Sequence, residues 1–198
     1  MNDGPDVRRG LVAPAVAAEH PGLRLAWAEV EATPGPTPPE LRERLRAMAN
    51  RIGGAQAIEL RRREVPHLHR VFFRHVGLDP DVVRTPVEAI VLRRMRDGGL
   101  RPQGLVADAL TVAVLETGVG VWAFDAAAIV GAPELREDER LILADEAGPL
   151  ATLFGEPLPR AAVTRETRRI ALVAVAVPNV PEVFVDEALW TAWDVLRP

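Results

Sequence analysis

The sequence predicts a single mixed α+β domain with one or more central β-sheets flanked by helices. Its 198 residues suit one domain that buries roughly 70% of its unfolded surface, and no internal repeat or linker divides the chain. Charged, helix-favouring segments dominate the first half, and short apolar runs typical of buried strands follow in the second half. Helical and strand patterns in one unit favour the α+β class.

The N-terminal part contains short elements and one rigid loop. Proline and glycine mark their ends, because proline fixes φ and glycine breaks regular structure. We predict a frayed terminus over residues 1–10, a domain over residues 11–198, a short helix over 12–19, a strand over 23–30 and a proline-rich loop over 33–39.

The middle of the chain is predicted to be helical. Residues 40–63 form a charged helical stretch broken near Gly53, and residues 65–76 continue it with an apolar face. Thr85 and Glu88 make a capping box with Pro86 at the first helical position, so a helix begins there.

The second half contains the predicted strands. A largely buried helix over 105–115 gives way at Gly118 to an inner strand over 119–124. Further patterns predict strands over 141–144 and 170–177 and an amphipathic C-terminal helix over 183–196.

Composition excludes several classes of protein. The chain has no cysteine, which excludes disulfide frameworks, cysteine-ligated zinc and thiol nucleophiles, and favours a cytoplasmic location. No apolar run reaches the roughly 18 residues of a membrane span. His67 and His69 are two residues apart and point away from each other on a helix, so we expect no metal site and no cofactor.

The charge is unevenly distributed. All 24 basic residues are arginine, and the net charge is −4. Residues 60–101 contain ten arginines against five acids, whereas residues 102–160 contain three against ten. Guanidinium groups match phosphate bidentately, so the basic segment is a candidate RNA-binding face. Its candidate residues are Arg61, Arg62, Arg63, Arg84, Arg93 and Arg94. The alternative is a set of solvated helix faces paired with nearby acids.

A family resemblance lies in residues 105–125. Asp108-Ala109, Leu115-Glu116-Thr117-Gly118 and Ala123-Phe124-Asp125 resemble the segment that defines the B3/B4 domain of the bacterial phenylalanyl-tRNA synthetase β subunit. Roughly residues 15–195 resemble freestanding B3/B4-domain proteins. The resemblance implies a B3/B4-like fold and a pocket that accepts the acceptor end of tRNA. In the synthetase, this pocket hydrolyses the ester bond between tRNA and mischarged tyrosine.

The resemblance also implies site residues, most of which differ from the family pattern. The family's asparagine falls on Thr111 and the residue before it on Leu110, while the synthetase's histidine and glutamate are replaced by Trp122 and Val173. The expected pocket residues are Asp108, Leu110, Thr111, Trp122, Gly155, Thr167 and Val173. Catalytic residues stay unassigned. The segment near 136–141 is shorter than in the family, so whether one wall of the pocket is complete stays open at this point.

Two of these residues have structural alternatives. Trp122 is either a stacking platform for a base or a core side chain on a buried strand. Asp108 is either a pocket carboxylate or a buried cap or arginine partner.

Three functions are therefore expected as alternatives. The first is a freestanding tRNA-binding domain whose partner is tRNA or aminoacyl-tRNA. The second is a trans-editing aminoacyl-tRNA hydrolase, and the third is a small-molecule binder that kept the fold. We expect neither DNA nor a membrane as partner, and the oligomeric state stays open.

Overall fold

The centre of the larger sheet is an antiparallel pair of eight-residue strands, Arg24–Glu31 (β3) and Arg169–Ala176 (β8). All β8 residues after Arg169 are apolar and buried, as expected for an inner strand. Short strands Arg8–Arg9 (β1) and Val121–Asp125 (β4) complete the order β1-β3-β8-β4. This computed structural model describes residues 4–197.

A second four-stranded sheet lies beside the first. Its strands are Leu11–Val12 (β2), Glu134–Glu137 (β5), Leu141–Asp145 (β6) and Gly148–Thr152 (β7), in the order β2-β5-β6-β7. The β2–β5 pair is parallel and the other pairs are antiparallel.

Seven α-helices connect and cover the sheets within residues 4–197. They are Pro14–Glu19 (α1), Pro39–Arg51 (α2), Gly54–Arg62 (α3), Glu64–His75 (α4), Pro86–Asp97 (α5), Leu105–Thr117 (α6) and Glu182–Leu196 (α7). A 3₁₀ turn, Ala126–Ala128, follows β4. No helix among these is long and apolar enough to cross a membrane.

Helix α6 has a central position in the core. It packs against α7 and β4, while α7 also covers β3 and β8. Its other side meets α2 and α5 around a second apolar cluster that includes Leu45, Val91 and Val112. The helix ends at Gly118, whose φ of 81° is left-handed, and a Cβ there would lie 2.9 Å from the Pro66 ring. Glycine thus lets α6 stop where β4 begins.

The predicted fold class is confirmed, because the described residues form one α+β domain. The terminal segment differs from a frayed end where it is described, since Arg8–Arg9 pair with β3 and Arg9 donates two hydrogen bonds to Asp186. Residues 1–3 lie outside the described residues.

Candidate functional site

An open cleft of about 1510 Å³ lies between α6 and β4. Helix α6 contributes Leu105, Leu110 and Thr111 to its wall, and β4 contributes Val121 and Trp122. The proline-rich loop before α2, one face of α5 and the turn after β7 close the remaining sides. The cleft therefore lies where the buried helix α6 meets the inner strand β4.

Within residues 4–197, five arginines and a single acid line this cleft. The acid is Glu156 in the turn after β7, and it is exposed. The arginines come from four separate segments and are Arg42, Arg84, Arg93, Arg96 and Arg165. A concave surface lined mainly by one sign of charge concentrates ions of the opposite sign, so this cleft attracts anions.

Three of the cleft arginines have no ion-pair partner. Within residues 4–197, no carboxylate oxygen lies within 4.0 Å of the guanidinium of Arg42, Arg93 or Arg165. Arg84 is 3.6 Å from Asp81, and Arg96 is 2.9 Å from Asp97. Their guanidinium groups can therefore form close ion pairs with an anionic ligand.

Neutral groups hold the guanidinium of Arg93. Its Nη1 donates to Gln103 Oε1 over 2.5 Å, and its Nη2 donates to Thr111 Oγ1 over 3.0 Å. The Thr111 hydroxyl donates its own hydrogen to the carbonyl of Ala107 over 2.9 Å. The Nε atom of Arg93 is buried and has no hydrogen-bond partner among residues 4–197.

Four of the seven expected pocket residues line the cleft, namely Leu110, Thr111, Trp122 and Gly155. Asp108, Thr167 and Val173 do not line it. Val173 is fully buried opposite Trp122 in the β8–β4 register. Thr167 donates to Asp125 over 2.8 Å, so its hydroxyl closes the connection between β4 and β8.

Asp108 has a structural role beside the cleft. Its carboxylate is 1% exposed and accepts hydrogen bonds from Thr37 Oγ1 at 2.5 Å and from the backbone N–H of Gln103. The Thr37 hydroxyl in turn accepts from the N–H of Gly104. These bonds hold the proline-rich loop against the start of α6, and that loop is one wall of the cleft.

Trp122 fixes the turn that follows β7. Its indole Nε1 donates to the carbonyl of Gly155 over 2.8 Å, and its ring packs on Phe154 with centroids 5.7 Å apart. Phe154 has a left-handed φ of 63°, and a side chain at Gly155 would overlap the Thr152 hydroxyl. With only 6% of Trp122 exposed, most of its surface contacts protein.

The expected arginines fall into two groups. Arg84 and Arg93 line the cleft, whereas Arg61, Arg62, Arg63 and Arg94 do not. Arg61 forms ion pairs with Asp81 and Glu88, Arg62 is 4.0 Å from Glu59, and Arg94 donates to the carbonyl of Ala49. Arg63 is exposed at the junction of α3 and α4.

Sequence reasoning did not select Arg42, Arg96 and Arg165 as binding residues. The helical spacing of α5 could have identified Arg96, because the cleft-facing positions of that helix repeat every three to four residues. Those positions are Pro86, Ala89, Ile90, Arg93 and Arg96. Arg94 is off this face. No local pattern marks Arg42 or Arg165, which reach the cleft only through the packing of distant segments.

The aromatic cluster behind the cleft contains a buried histidine. His69 is fully buried, and its ring is 5.6 Å from that of Phe154. Burial lowers the pKa of His69 from 6.5 to about 4, and the hydrogen bond between its Nδ1 and the carbonyl of Val65 offsets this only in part. His69 is therefore neutral at pH 7.

Two further expectations concern metal ions and the short segment near 136–141. Among residues 4–197, no group of three or more His, Asp or Glu side chains is arranged to hold a metal ion. Residues 134–137 and 141–145 form the β5–β6 hairpin of the second sheet, and none of them lines the cleft. The short segment therefore does not bound this cleft.

No protein-family model matches the chain, and no curated protein matches its sequence.

Proposed function

We propose that this protein binds the single-stranded acceptor end of tRNA or aminoacyl-tRNA in the cleft between α6 and β4. The observation that carries the proposal is the lining of that cleft, five arginines against one acid. Arginine forms bidentate hydrogen bonds with phosphate oxygens, and protein contacts to RNA phosphates depend on such cations. The resemblance of residues 105–125 to a tRNA-editing domain supports the choice of tRNA.

The size of the cleft favours RNA over a small molecule. Pockets for small ligands have volumes of roughly 300–1,000 Å³ and enclose most of the ligand. This cleft has a volume of about 1510 Å³ and is open to solvent. A single strand of several nucleotides fits such a shape, because its phosphates face the arginines while its bases contact apolar walls.

A salt titration tests the proposal. Filter binding with total tRNA should give a saturable affinity whose logarithm falls with log salt at a slope of about −2, because three unpaired arginines neutralise three phosphates at about −0.7 each on a single strand. Binding without salt dependence, or none at micromolar protein, would contradict the proposal.

Substitutions of single arginines test whether tRNA binds in the cleft. Arg165→Gln and Arg42→Gln should each reduce the slope by about 0.7, since each removes one phosphate contact. Arg62→Gln is the matched control, because Arg62 is exposed and lies outside the cleft. Equal losses in all three variants would show that net charge, not the cleft, governs binding. A tRNA without its single-stranded 3′ end should bind more weakly than intact tRNA.

One observation favours a second candidate, hydrolysis of an aminoacyl ester. Glu156 is the one carboxylate of residues 4–197 that lines the cleft, and it follows Gly155, whose carbonyl accepts a hydrogen bond from Trp122. A carboxylate can take a proton from water as the water attacks an ester carbonyl, after which the ribose oxygen leaves protonated. We expect the protein to release the amino acid from at least one of a panel of mischarged tRNAs, and we expect Glu156→Gln to abolish this release. Release at the uncatalysed rate would contradict this candidate.

A further inference from the structure

Arg93 differs from the other cleft arginines because neutral groups hold its guanidinium in place, and no carboxylate of residues 4–197 lies within 4.0 Å of it; Asp97 acts on it only from further away. Two of its N–H donors are used by Gln103 and Thr111, which are neutral. Arginine has five N–H donors, so three are left, one of them the buried Nε with no partner. An anionic acceptor would stabilise a guanidinium that still has three N–H groups without an acceptor.

The Thr111 hydroxyl is oriented toward Arg93 by its own bonding. A hydroxyl has one hydrogen, and that of Thr111 goes to the carbonyl of Ala107 in the preceding turn of α6. Only its lone pairs are left for Arg93 Nη2. Thr111 thus holds the guanidinium fork without neutralising it.

The surroundings of Arg93 also favour an anion. Arg96 lies three residues further along α5 on the same cleft-facing side, and its ion pair with Asp97 leaves its exposed guanidinium close to the cleft. Glu156 is the single acid of the lining and comes from the turn after β7 rather than from α5 or α6. Within residues 4–197, no acidic side chain of α5 or α6 lines the cleft; Asp97 of α5 interacts with Arg93 at longer range and is ion-paired with Arg96.

We propose that Arg93 is the centre of a phosphate-binding site in this cleft and that Thr111 and Gln103 are its positioning residues. The site takes one phosphate group, either of an RNA backbone or of a free nucleotide. The choice of phosphate over carboxylate rests on the proposed tRNA binding. Specificity comes from the fork, because a planar guanidinium forms two parallel hydrogen bonds with two phosphate oxygens and an ammonium does not.

Phosphate titration followed by NMR tests the site directly. The Nε–H signal of Arg93, assigned by its absence in Arg93→Lys, should shift saturably with inorganic phosphate and respond much less to acetate at equal ionic strength. Adenosine 5′-monophosphate should shift the same signal, and tRNA should displace inorganic phosphate from it. No saturable shift, or equal shifts with acetate, would overturn the site.

Two variants distinguish the contribution of the planar Arg93 guanidinium from the contribution of its positive charge to phosphate binding. Arg93→Lys keeps the charge and should weaken phosphate binding about tenfold, because it loses the bidentate geometry. Thr111→Val keeps the shape and Arg93 but removes the acceptor, and should weaken it about threefold, since the fork is no longer positioned. Arg62→Gln should bind as the wild type. Unfolding midpoints of all variants report whether each is folded.

The outcomes distinguish this site from the proposed function. If Arg93→Lys and Thr111→Val bind tRNA with wild-type affinity while Arg42→Gln and Arg165→Gln do not, the phosphate site is wrong and tRNA binding stands. If inorganic phosphate binds at Arg93 but tRNA does not bind the protein, the site stands and the tRNA proposal is wrong.

Discussion

The Arg70 guanidinium and the Glu88 carboxylate meet in the interior, with Nη1 and Oε1 2.6 Å apart. Both residues are buried, and the same Oε1 lies 2.7 Å from Arg61 Nε in a second ion pair. The other oxygen of Glu88 accepts from the hydroxyl and the N–H of Thr85. Glu88 therefore caps α5 and also ties its start to α3 and α4, which sets the position of Arg93 and Arg96.

Replacing Arg70 should strongly destabilise the protein. Arg70→Met leaves the buried Glu88 paired with the partly exposed Arg61, so the loss should approach but not exceed the about 3–5 kcal/mol of a buried charge that loses its partner. Urea denaturation gives the free energy of unfolding. Arg62→Met is the control, because Arg62 is exposed and should change stability by less than about 0.5 kcal/mol. Equal effects of the two substitutions would contradict the role of the buried pair.

Replacing Trp122 should release the turn after β7. Trp122→Phe keeps an aromatic ring but leaves the carbonyl of Gly155 without its donor, so we expect a loss of about 1–2 kcal/mol. Thermal unfolding measures it. Trp190→Phe is the matched control, since Trp190 is 45% exposed and packs beside Trp193 on α7. A loss no greater than in the control would show that the indole bond contributes nothing.

The protein should lose stability as the pH falls from about 6.5 to about 4. His69 has a pKa of about 4 in the folded protein and 6.5 as its ordinary value, so the unfolded chain binds the proton first. A difference of this size lowers the free energy of unfolding by about 3 kcal/mol across that range.

Urea denaturation at several pH values checks this, and His69→Phe should flatten the slope. His67→Gln is the control, because His67 lies on the same helix and is exposed. An unchanged slope in His69→Phe would assign the pH dependence to other groups.

Removing the Thr37 hydroxyl should loosen one wall of the cleft. Thr37→Val takes a hydrogen bond from the buried Asp108 carboxylate and leaves the N–H of Gly104 without its acceptor, which we expect to cost about 1–3 kcal/mol. Amide hydrogen exchange at Leu105, whose N–H donates to the Gly35 carbonyl of this loop, should become faster. Thr33→Val changes an exposed threonine of the same loop and should leave both stability and exchange unchanged.

The helices were predictable because their signals are local. Thr85, Pro86 and Glu88 are close in sequence and mark the start of α5, and Gly118 marks the end of α6. The apolar run of β8 is equally visible, since a strand buried on both faces needs no alternation. Strands β5 and β7 were not predicted, because Glu134–Glu137 is largely charged and Gly148–Thr152 begins with glycine and proline.

The candidate site was predictable only in part. Leu110, Thr111 and Trp122 were found through the segment that carries the resemblance, and they line the cleft. Counting arginines along residues 60–101 did not separate cleft arginines from structural ones. Arg61 is paired by Asp81 and Glu88, so its charge is used inside the protein.

The sequence by itself determined most of the helices, the inner strand β8, the start of α5 and the excess of arginine in residues 60–101, because each depends on residues near one another in the chain. Only the tertiary structure decided which guanidinium groups are free for a ligand. The neutral hydroxyl of Thr111, 18 residues away in sequence, holds the guanidinium of Arg93, and the indole of Trp122 donates to the carbonyl of Gly155, 33 residues away. Hydrogen bonds and ion pairs of this kind form only after packing has brought distant segments together.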